Sequence, residues 1–437
     1  MQRPRPLPAS ARGLLEAARP GLEACVRCGL CLETCPTYVL TGLEEESPRG
    51  RIAIGKALLD GHLAVSEDLV RHEMSCLLCE ACTSVCPAGV RMEEIGVALR
   101  AALRPVATRD ARERLTGRAV RALGDRGRLE LGVRAIGWSR KGPLRKPAAA
   151  ILRSLGLDAA SLPEVTGRFL RPDGGGWRPL DREPRGRVVL FAGCVMSTLL
   201  APIDVATGEL LAAAGFEVRV VAGQSCCGAL AAHLGDSEEA ERLIRRNIQA
   251  FTSGPEPLLG DEGEAPIVVN SAGCGAFLKA YGRYGGEPGA RVARRIRDLT
   301  EILVESDLDL SGPAPEGPVG YQDACHLRLA QRIIDPPREL LRRIPGLKLV
   351  ELAEQDLCCG SAGVYNLTHP SEADALLSRK VEAMRSCGAR TVVTANPGCL
   401  LQLRAGARRA KLPVEILHIA EVLRTACPVP VERLGGP

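Results

Sequence analysis

Aromatic side chains make up only 3% of the 437 residues. With no rings interleaved among its basic residues, the chain has little on which bases could stack, and nucleic acid is not expected as a partner. No run approaches 18 consecutive apolar residues, so no membrane-spanning helix is expected. The first twenty residues, MQRPRPLPASARGLLEAARP, hold no uninterrupted apolar stretch of the secretion-signal kind. A cytoplasmic, reducing setting follows as an expectation. No G-x-G-x-x-G follows a predicted strand and opens a helix, so this chain is not expected to carry a nicotinamide or flavin domain of its own. No Ser/His/Asp arrangement stands out, and no catalytic residue is assigned.

What the chain does have is cysteine, 18 in all. In a reducing compartment these read as metal ligands rather than bridges. Net charge is only +5, yet residues 101–150 hold thirteen Arg or Lys against four Asp or Glu. Such a patch suits solvated helix faces, or docking to anionic lipid or an acidic partner.

The cysteines fall into two kinds of pattern. CVRCGLCLETCP supplies Cys25, Cys28, Cys31 and Cys35, and CLLCEACTSVCP supplies Cys76, Cys79, Cys82 and Cys86. Both are C-x₂-C-x₂-C-x₃-C-P, the ligand run of two-cluster ferredoxins, in which the fourth cysteine serves the other cluster. Soft thiolates at this spacing suit iron–sulfur better than zinc, which prefers C-x₂-C pairs set apart by a longer loop. The exchange assigns Cys25, Cys28, Cys31 and Cys86 to one [4Fe–4S] cluster and Cys76, Cys79, Cys82 and Cys35 to a second. Between the motifs, SPRGRIAIGKALLDG has a helical pattern, which favours a helical ferredoxin domain.

The second pattern is a pair of doubled cysteines, GQSCCGALAAHL at 223–234 and QDLCCGSAGVYN at 355–366. Neighbouring cysteines hardly bridge to one another, but two thiolates in one loop can grip a compact inorganic object. The surrounding sequence repeats with a period of about 130 residues. RVVLFAGCV corresponds to GPVGYQDACH, FEVRVVAGQSCCG to LKLVELAEQDLCCG, and APIVVNSAGCGAFLKAYG to RTVVTANPGCLLQLRAG. Each β-branched run breaks at a cysteine, with helical stretches between, which predicts two similar α/β domains with mostly parallel sheets. Ligands of such sheets gather beyond the strands' carboxyl ends. The repeats thus offer Cys194, Cys226, Cys227 and Cys274, and Cys325, Cys358, Cys359 and Cys399, as candidate metal ligands. Gly228 and Gly360 permit the turn that presents both sulfurs. Cys387 and Cys427 lie outside the repeat and read as buried structural residues, while His233, His369 and His418 read as ordinary surface or core residues. His326, next to Cys325, is a candidate ligand or hydrogen-bond donor.

The expected fold is therefore α+β and multidomain. A helical two-cluster ferredoxin domain (1–100) is followed by a basic helical region and linker (101–185). Two repeated α/β domains complete it (186–312 and 313–437).

At this point the chain resembles a known family, the iron–sulfur subunits of FAD-linked 2-hydroxy-acid oxidoreductases of the glycolate oxidase type. The resemblance rests on CVRCGLCLETCPTYVLTGLEEESPRGRI, SCLLCEACTSVCPAGV, QSCCGALAAHLGD, YQDACHLRLAQ, DLCCGSAGVYNLTHP and VVTANPGCLLQLRAG, and spans nearly all of it. The family's CCG domains end in C-x-x-C, whereas SAGCGAF and NPGCLLQ offer one cysteine each, leaving four thiols per domain. The resemblance implies that FAD-bearing partner subunits oxidise glycolate to glyoxylate. Electrons would then pass through this chain to a quinone or other membrane acceptor, with peripheral contact at the inner face of the membrane. In the CCG domains it leaves open a further iron–sulfur cluster, zinc, or a reducible thiol pair. Alternatives are the same role for D-lactate or glycerol 3-phosphate, or a catalytic CCG protein of the heterodisulfide reductase kind.

Overall fold

The computed structural model describes residues 5–107, 110–139, 169–173, 175–252, 259–260 and 263–435. Part of the basic stretch, 140–150, therefore lies outside the described residues. The amino-terminal part is helical. Ser47 caps the helix Pro48–Leu59 by accepting from the Gly50 amide, and proline at the first position suits the start of a helix. The helix Met92–Leu103 buries Met92, Ile95, Leu99 and Leu103, the three-and-four spacing of a core-facing stripe. These residues meet Leu15, Leu22, Ile52 and Leu58 in one apolar core, with Cys25, Cys82 and Cys86 at its edge.

Twelve strands are seen among the described residues: β1 (Gly176–Pro179), β2 (Gly186–Leu190), β3 (Phe216–Arg219), β4 (Leu259–Gly260), β5 (Gly263–Glu264), β6 (Ile267–Val269), β7 (Ile296–Asp298), β8 (Pro318–Tyr321), β9 (Lys348–Glu351), β10 (Thr391–Thr394), β11 (Glu415–His418) and β12 (Val431–Leu434). β4 and β5 form a small separate hairpin. The repeat is real in topology. The first sheet contains the parallel series β3-β2-β6-β7, and the second is β9-β8-β10-β11, also parallel throughout. Both follow the same doubly wound order, in which the chain reverses direction beside the first strand.

The first sheet also draws strands from outside 186–312. β1 lies within the Gly/Pro-rich stretch expected as a connector, and β12 comes from the end of the chain. They pair antiparallel with each other, and β1 pairs antiparallel with β3. Trp177 explains β1. Its ring is buried against the helix Ala201–Ala213 at Gly208, where an added Cβ would come within 2.3 Å of it. The two sheets are further joined by one continuous core, which includes Val188, Leu190 and Val218 from the first and Val319, Tyr321 and Val392 from the second.

His418 stitches the repeats together at one point. Its Nε2 donates to the Asn270 carbonyl at 2.9 Å, while Nδ1 accepts from the Ala420 amide at 3.2 Å. Both nitrogens are thereby committed to the neutral ring, and burial pushes its pKa down to about 4. The unfolded chain protonates this residue at about 6.5. Unfolding therefore takes up a proton between those values, and stability falls as pH drops through that window. From pH 7.5 to 5.0 the loss from His418 should be about 2 kcal/mol. Urea midpoints at the two pH values check this, and His418→Gln should shrink the difference by about 2 kcal/mol. His369, also pushed down to about 4 by burial, adds a similar slope that the variant leaves in place.

Candidate metal centres

The amino-terminal cysteines line two neighbouring small cavities. Cys25, Cys28, Cys31 and Cys86 line one, with Val26, Leu30 and Arg49. Cys35, Cys76 and Cys79 line the other, with Thr37 and Arg51. Cys82 lies on the wall of both. The fourth cysteine of each motif thus stands with the first three of the other. Several loop residues take left-handed conformations to let the sulfurs converge, Arg27 at φ 58° and Leu78 at φ 50° among them. Backbone amides point at the sulfurs as well: Val90 donates to Cys86 and Leu78 to Cys76, each at 3.4 Å.

The two sets differ in setting. Cys28 is exposed, and its neighbours Val26 and Leu30 are 68% and 59% accessible, unusual for large apolar side chains. Cys35 and Cys79 are buried.

In the repeats, each cysteine follows its strand at a matched distance. Cys194 and Cys325 come four residues after β2 and β8, and Cys226 and Cys358 seven after β3 and β9. Cys274 and Cys399 come five after β6 and β10, in the first turns of helices Ala272–Lys279 and Pro397–Arg409. All eight are thus held beyond the strands' carboxyl ends. Gly228 and Gly360 adopt φ 93° and 83°, and at Gly360 a Cβ would lie 2.6 Å from the Ala373 carbonyl. The turn after each doubled cysteine therefore requires glycine.

What the sequence did not reveal is that the two sets meet. The loop after β6 binds the loop after β10, through the Ala272 amide to the Ala395 carbonyl and the Gly273 amide to Asn396 Oδ1 at 3.1 Å. This turns the ends of the two sheets toward one another. All eight thiols line a single cavity of about 190 Å³. Within it Cys227 and Cys274 sulfurs are 3.3 Å apart, and Cys359 and Cys399 3.4 Å. Cys226 accepts from Cys194 and Cys227, which holds its thiol well below the usual range, and Cys358 does the same between Cys325 and Cys359. The middle sulfur of each row is thus the first to become a thiolate, the form that binds metal. Among the described residues, no three His, Cys, Asp or Glu side chains close on one point as a single-ion site does; the thiols line cavity walls instead.

Two histidines belong to this cavity. His326 Nδ1 lies 3.5 Å from Cys325 Sγ, as a hydrogen-bond partner would, and its buried Nε2 has no partner among the described residues. His233, expected to be an ordinary residue, also lines the cavity, stacks on His326 at 6.1 Å and faces Glu93 at 3.5 Å. No spacing signal marked it. Cys387 and Cys427 do not line the cavity. Cys427 is buried in the shared core, with Cys387 packed against it.

The amino-terminal sites abut the second repeat. Cys79 and Cys358 are buried in one apolar cluster with Leu77, Leu329, Tyr365 and Leu376. Burial pushes the Cys79 thiol up, and charge on Cys358 adds to that. Arg100 ties the parts together, donating to the Met74 carbonyl at 3.1 Å, to the Cys76 carbonyl, and to the His233 carbonyl at 2.7 Å. Part of the basic excess also turns inward, since Arg104 and Arg121 both bind Asp236 at 2.7 Å.

A family model of a 4Fe-4S dicluster domain matches residues 21–90, and one of a cysteine-rich CCG domain matches 188–279 and 319–404. The chain is 35% identical over 430 residues to a probable glycolate oxidase iron–sulfur subunit of Bacillus subtilis, covering 92% of this chain and 93% of that one. It is 31% identical over 411 residues to the glycolate oxidase iron–sulfur subunit of Escherichia coli, covering 93% and 94%. Similarity to one subunit of a fumarate reductase (CoM/CoB) from Methanothermobacter marburgensis is 28% over 411 residues, covering 93% and 72%.

Proposed function

Since the chain belongs to the family of glycolate oxidase iron–sulfur subunits, electron-transfer components of oxidoreductase complexes, we propose that it carries electrons from FAD-bearing partner subunits, which oxidise glycolate to glyoxylate, to a quinone or other membrane acceptor. One observation carries the reading: the three thiol sets are contiguous. Cys82 stands on the wall between the first two, and Cys79 packs with Cys358 of the third.

The donor sets fit iron–sulfur clusters, being all thiol, with amides aimed at sulfur. In this reading Cys25, Cys28, Cys31 and Cys86 hold one [4Fe–4S] cluster, Cys35, Cys76, Cys79 and Cys82 a second, and the eight thiols of the repeats a further iron–sulfur centre. When bound, such clusters supply one-electron transfer, and their potentials answer to charge, hydrogen bonding and burial. The protein residues do the rest. Leu77, Leu329 and Leu376 keep water from the Cys79–Cys358 junction, and His326 and Asn396 donate toward sulfur. The Val26 and Leu30 lip beside Cys28 is the proposed partner-facing end.

Among the described residues, no helix is long and apolar enough to cross a membrane. Peripheral contact at the inner face is proposed instead through the helix Arg126–Ser139, where Leu131 and Trp138 are 70% and 82% exposed beside Arg128 and Arg134. Substrate choice belongs to the flavin subunits, so the range of hydroxy acids oxidised by the co-purified complex, D-lactate included, tests that part.

Anaerobic iron and sulfide analysis tests the metal assignment. The wild-type chain should hold more than about eight irons, the content of two four-iron clusters. A variant with Cys226, Cys227, Cys358 and Cys359 all changed to Ser should fall to about eight. About eight in both would confine the clusters to the amino-terminal domain, and zinc in the wild type that the variant loses would replace iron in the repeats.

A further inference from the structure

Arg51 is a buried charge to which no carboxylate is bonded among the described residues. It projects from the helix Pro48–Leu59 and is 1% exposed. Its Nε donates to the His72 carbonyl at 3.2 Å, Nη1 to the Thr37 hydroxyl at 3.1 Å and to the Glu46 carbonyl, and Nη2 to the Ser75 hydroxyl at 2.8 Å. Every one of these acceptors is a neutral oxygen. The hydrogen bonds are satisfied, yet none of them goes to an anion, and a buried ion is costly unless negative charge stands close by.

Neither nearby carboxylate is bonded to it. Burial pushes Glu73 up to about 8, so at neutral pH it is mostly protonated. The Glu46 side chain turns to His72 at 3.1 Å. Burial works against the charged form of Arg51, yet its neighbours hold the guanidinium above its ordinary pKa, and among them Cys76 acts most. The guanidinium lines the cavity of Cys35, Cys76, Cys79 and Cys82. The Thr37 hydroxyl that accepts from it is 3.3 Å from Cys35 Sγ. The other amino-terminal set has no such cation. Two arginines line it: Arg27 is exposed, and Arg49 is part-exposed and held by Glu44 at 2.6 and 3.1 Å.

We propose that Arg51 is the resident counter-cation of the cluster held by Cys35, Cys76, Cys79 and Cys82, and that it keeps that cluster's reduction potential above the value its burial alone would set. Four thiolates give such a group net negative charge, and reduction adds to it, so a fixed cation inside the same dry pocket favours the reduced form. The inference rests on the proposed assignment of the eight amino-terminal cysteines to two clusters.

The test is a redox titration of the anaerobically loaded full chain followed by electron paramagnetic resonance, comparing wild type, Arg51→Met and Arg51→Lys. In Arg51→Met one of the two amino-terminal midpoints should move down while the other stays, and Arg51→Lys should restore most of the shift. Failure of Arg51→Met to load one cluster, with normal loading of Arg51→Lys, also supports a requirement for charge. Unchanged midpoints in Arg51→Met would overturn the proposal. So would an Arg51→Lys chain that behaves like Arg51→Met, because shape rather than charge would then be what matters. A wild-type chain whose iron content and signals show no second amino-terminal cluster would sink the underlying assignment instead.

Discussion

Cys79→Ser should cut electron delivery from the flavin partners to the terminal acceptor at least about 100-fold, more than the loss of an outer-shell partner typically costs at a metal site. Flavin reduction by substrate, read with a dye that accepts directly from the partner subunits, should be unchanged. The expectation comes from position. Cys79 is buried in the apolar cluster that also holds Cys358, where the amino-terminal helices meet the second repeat. No other cysteine of the first two sets shares that cluster. A serine there removes a soft ligand and puts a hydroxyl into a dry junction lined mainly by apolar side chains. The comparison to make is acceptor reduction against dye reduction in the same purified complex. A variant that keeps more than a tenth of wild-type delivery would take the second thiol set off the route.

Trp177→Ala should lower the stability of the folded chain by about 3–5 kcal/mol, the usual range for removing a buried Trp. The ring lies over Gly208, and the Arg433 guanidinium is 5.8 Å from its centroid. Trp177 also belongs to the core that runs through both sheets. The helices Ala201–Ala213 and Ile419–Ala426 reinforce that union, with Arg424 bound to Glu209 at 2.6 Å. The loss should therefore appear as one unfolding transition shifted to lower urea, with protease cuts in the two repeats arising together. Two transitions, with only the first repeat weakened, would mean that the repeats fold separately.

Much of the site could be read from the chain because its signals are local. The cysteine spacings of the amino-terminal motifs, the positions of Cys194, Cys226 and Cys274, and their counterparts Cys325, Cys358 and Cys399, all depend on a short strand and the loop that follows it. The helix Pro48–Leu59 likewise falls where its pattern predicts, and Ser237–Thr252 and Pro370–Ser386 supply helices expected between the strands of the repeats. The parts that escaped depend on contacts far apart in sequence. Nothing near Ala272 or Ala395 announces that their loops bond, so one shared cavity could not be told from two. β1 was hidden because a single buried Trp carries it within a run of Gly and Pro, and β12 because its partner lies about 250 residues away. Arg51 looks like any helical arginine until it is seen buried, with only neutral oxygens accepting its hydrogen bonds. Arg104 and Arg121 counted toward a basic surface, yet they serve Asp236.

The exposure of Cys28 has a consequence for handling. Thiolate that solvent reaches is the thiolate that oxidants reach, and each step beyond sulfenic acid is irreversible for most proteins. Oxygen should therefore consume the chain from one end. In preparations left in air, the set around Cys28 should lose its iron first, while the set around buried Cys79 persists. On the proposed assignment, samples that have lost half their amino-terminal iron would then be a uniform population damaged at one end, able to pass charge between the second set and the repeats but deaf to a partner at the proposed Val26 and Leu30 lip.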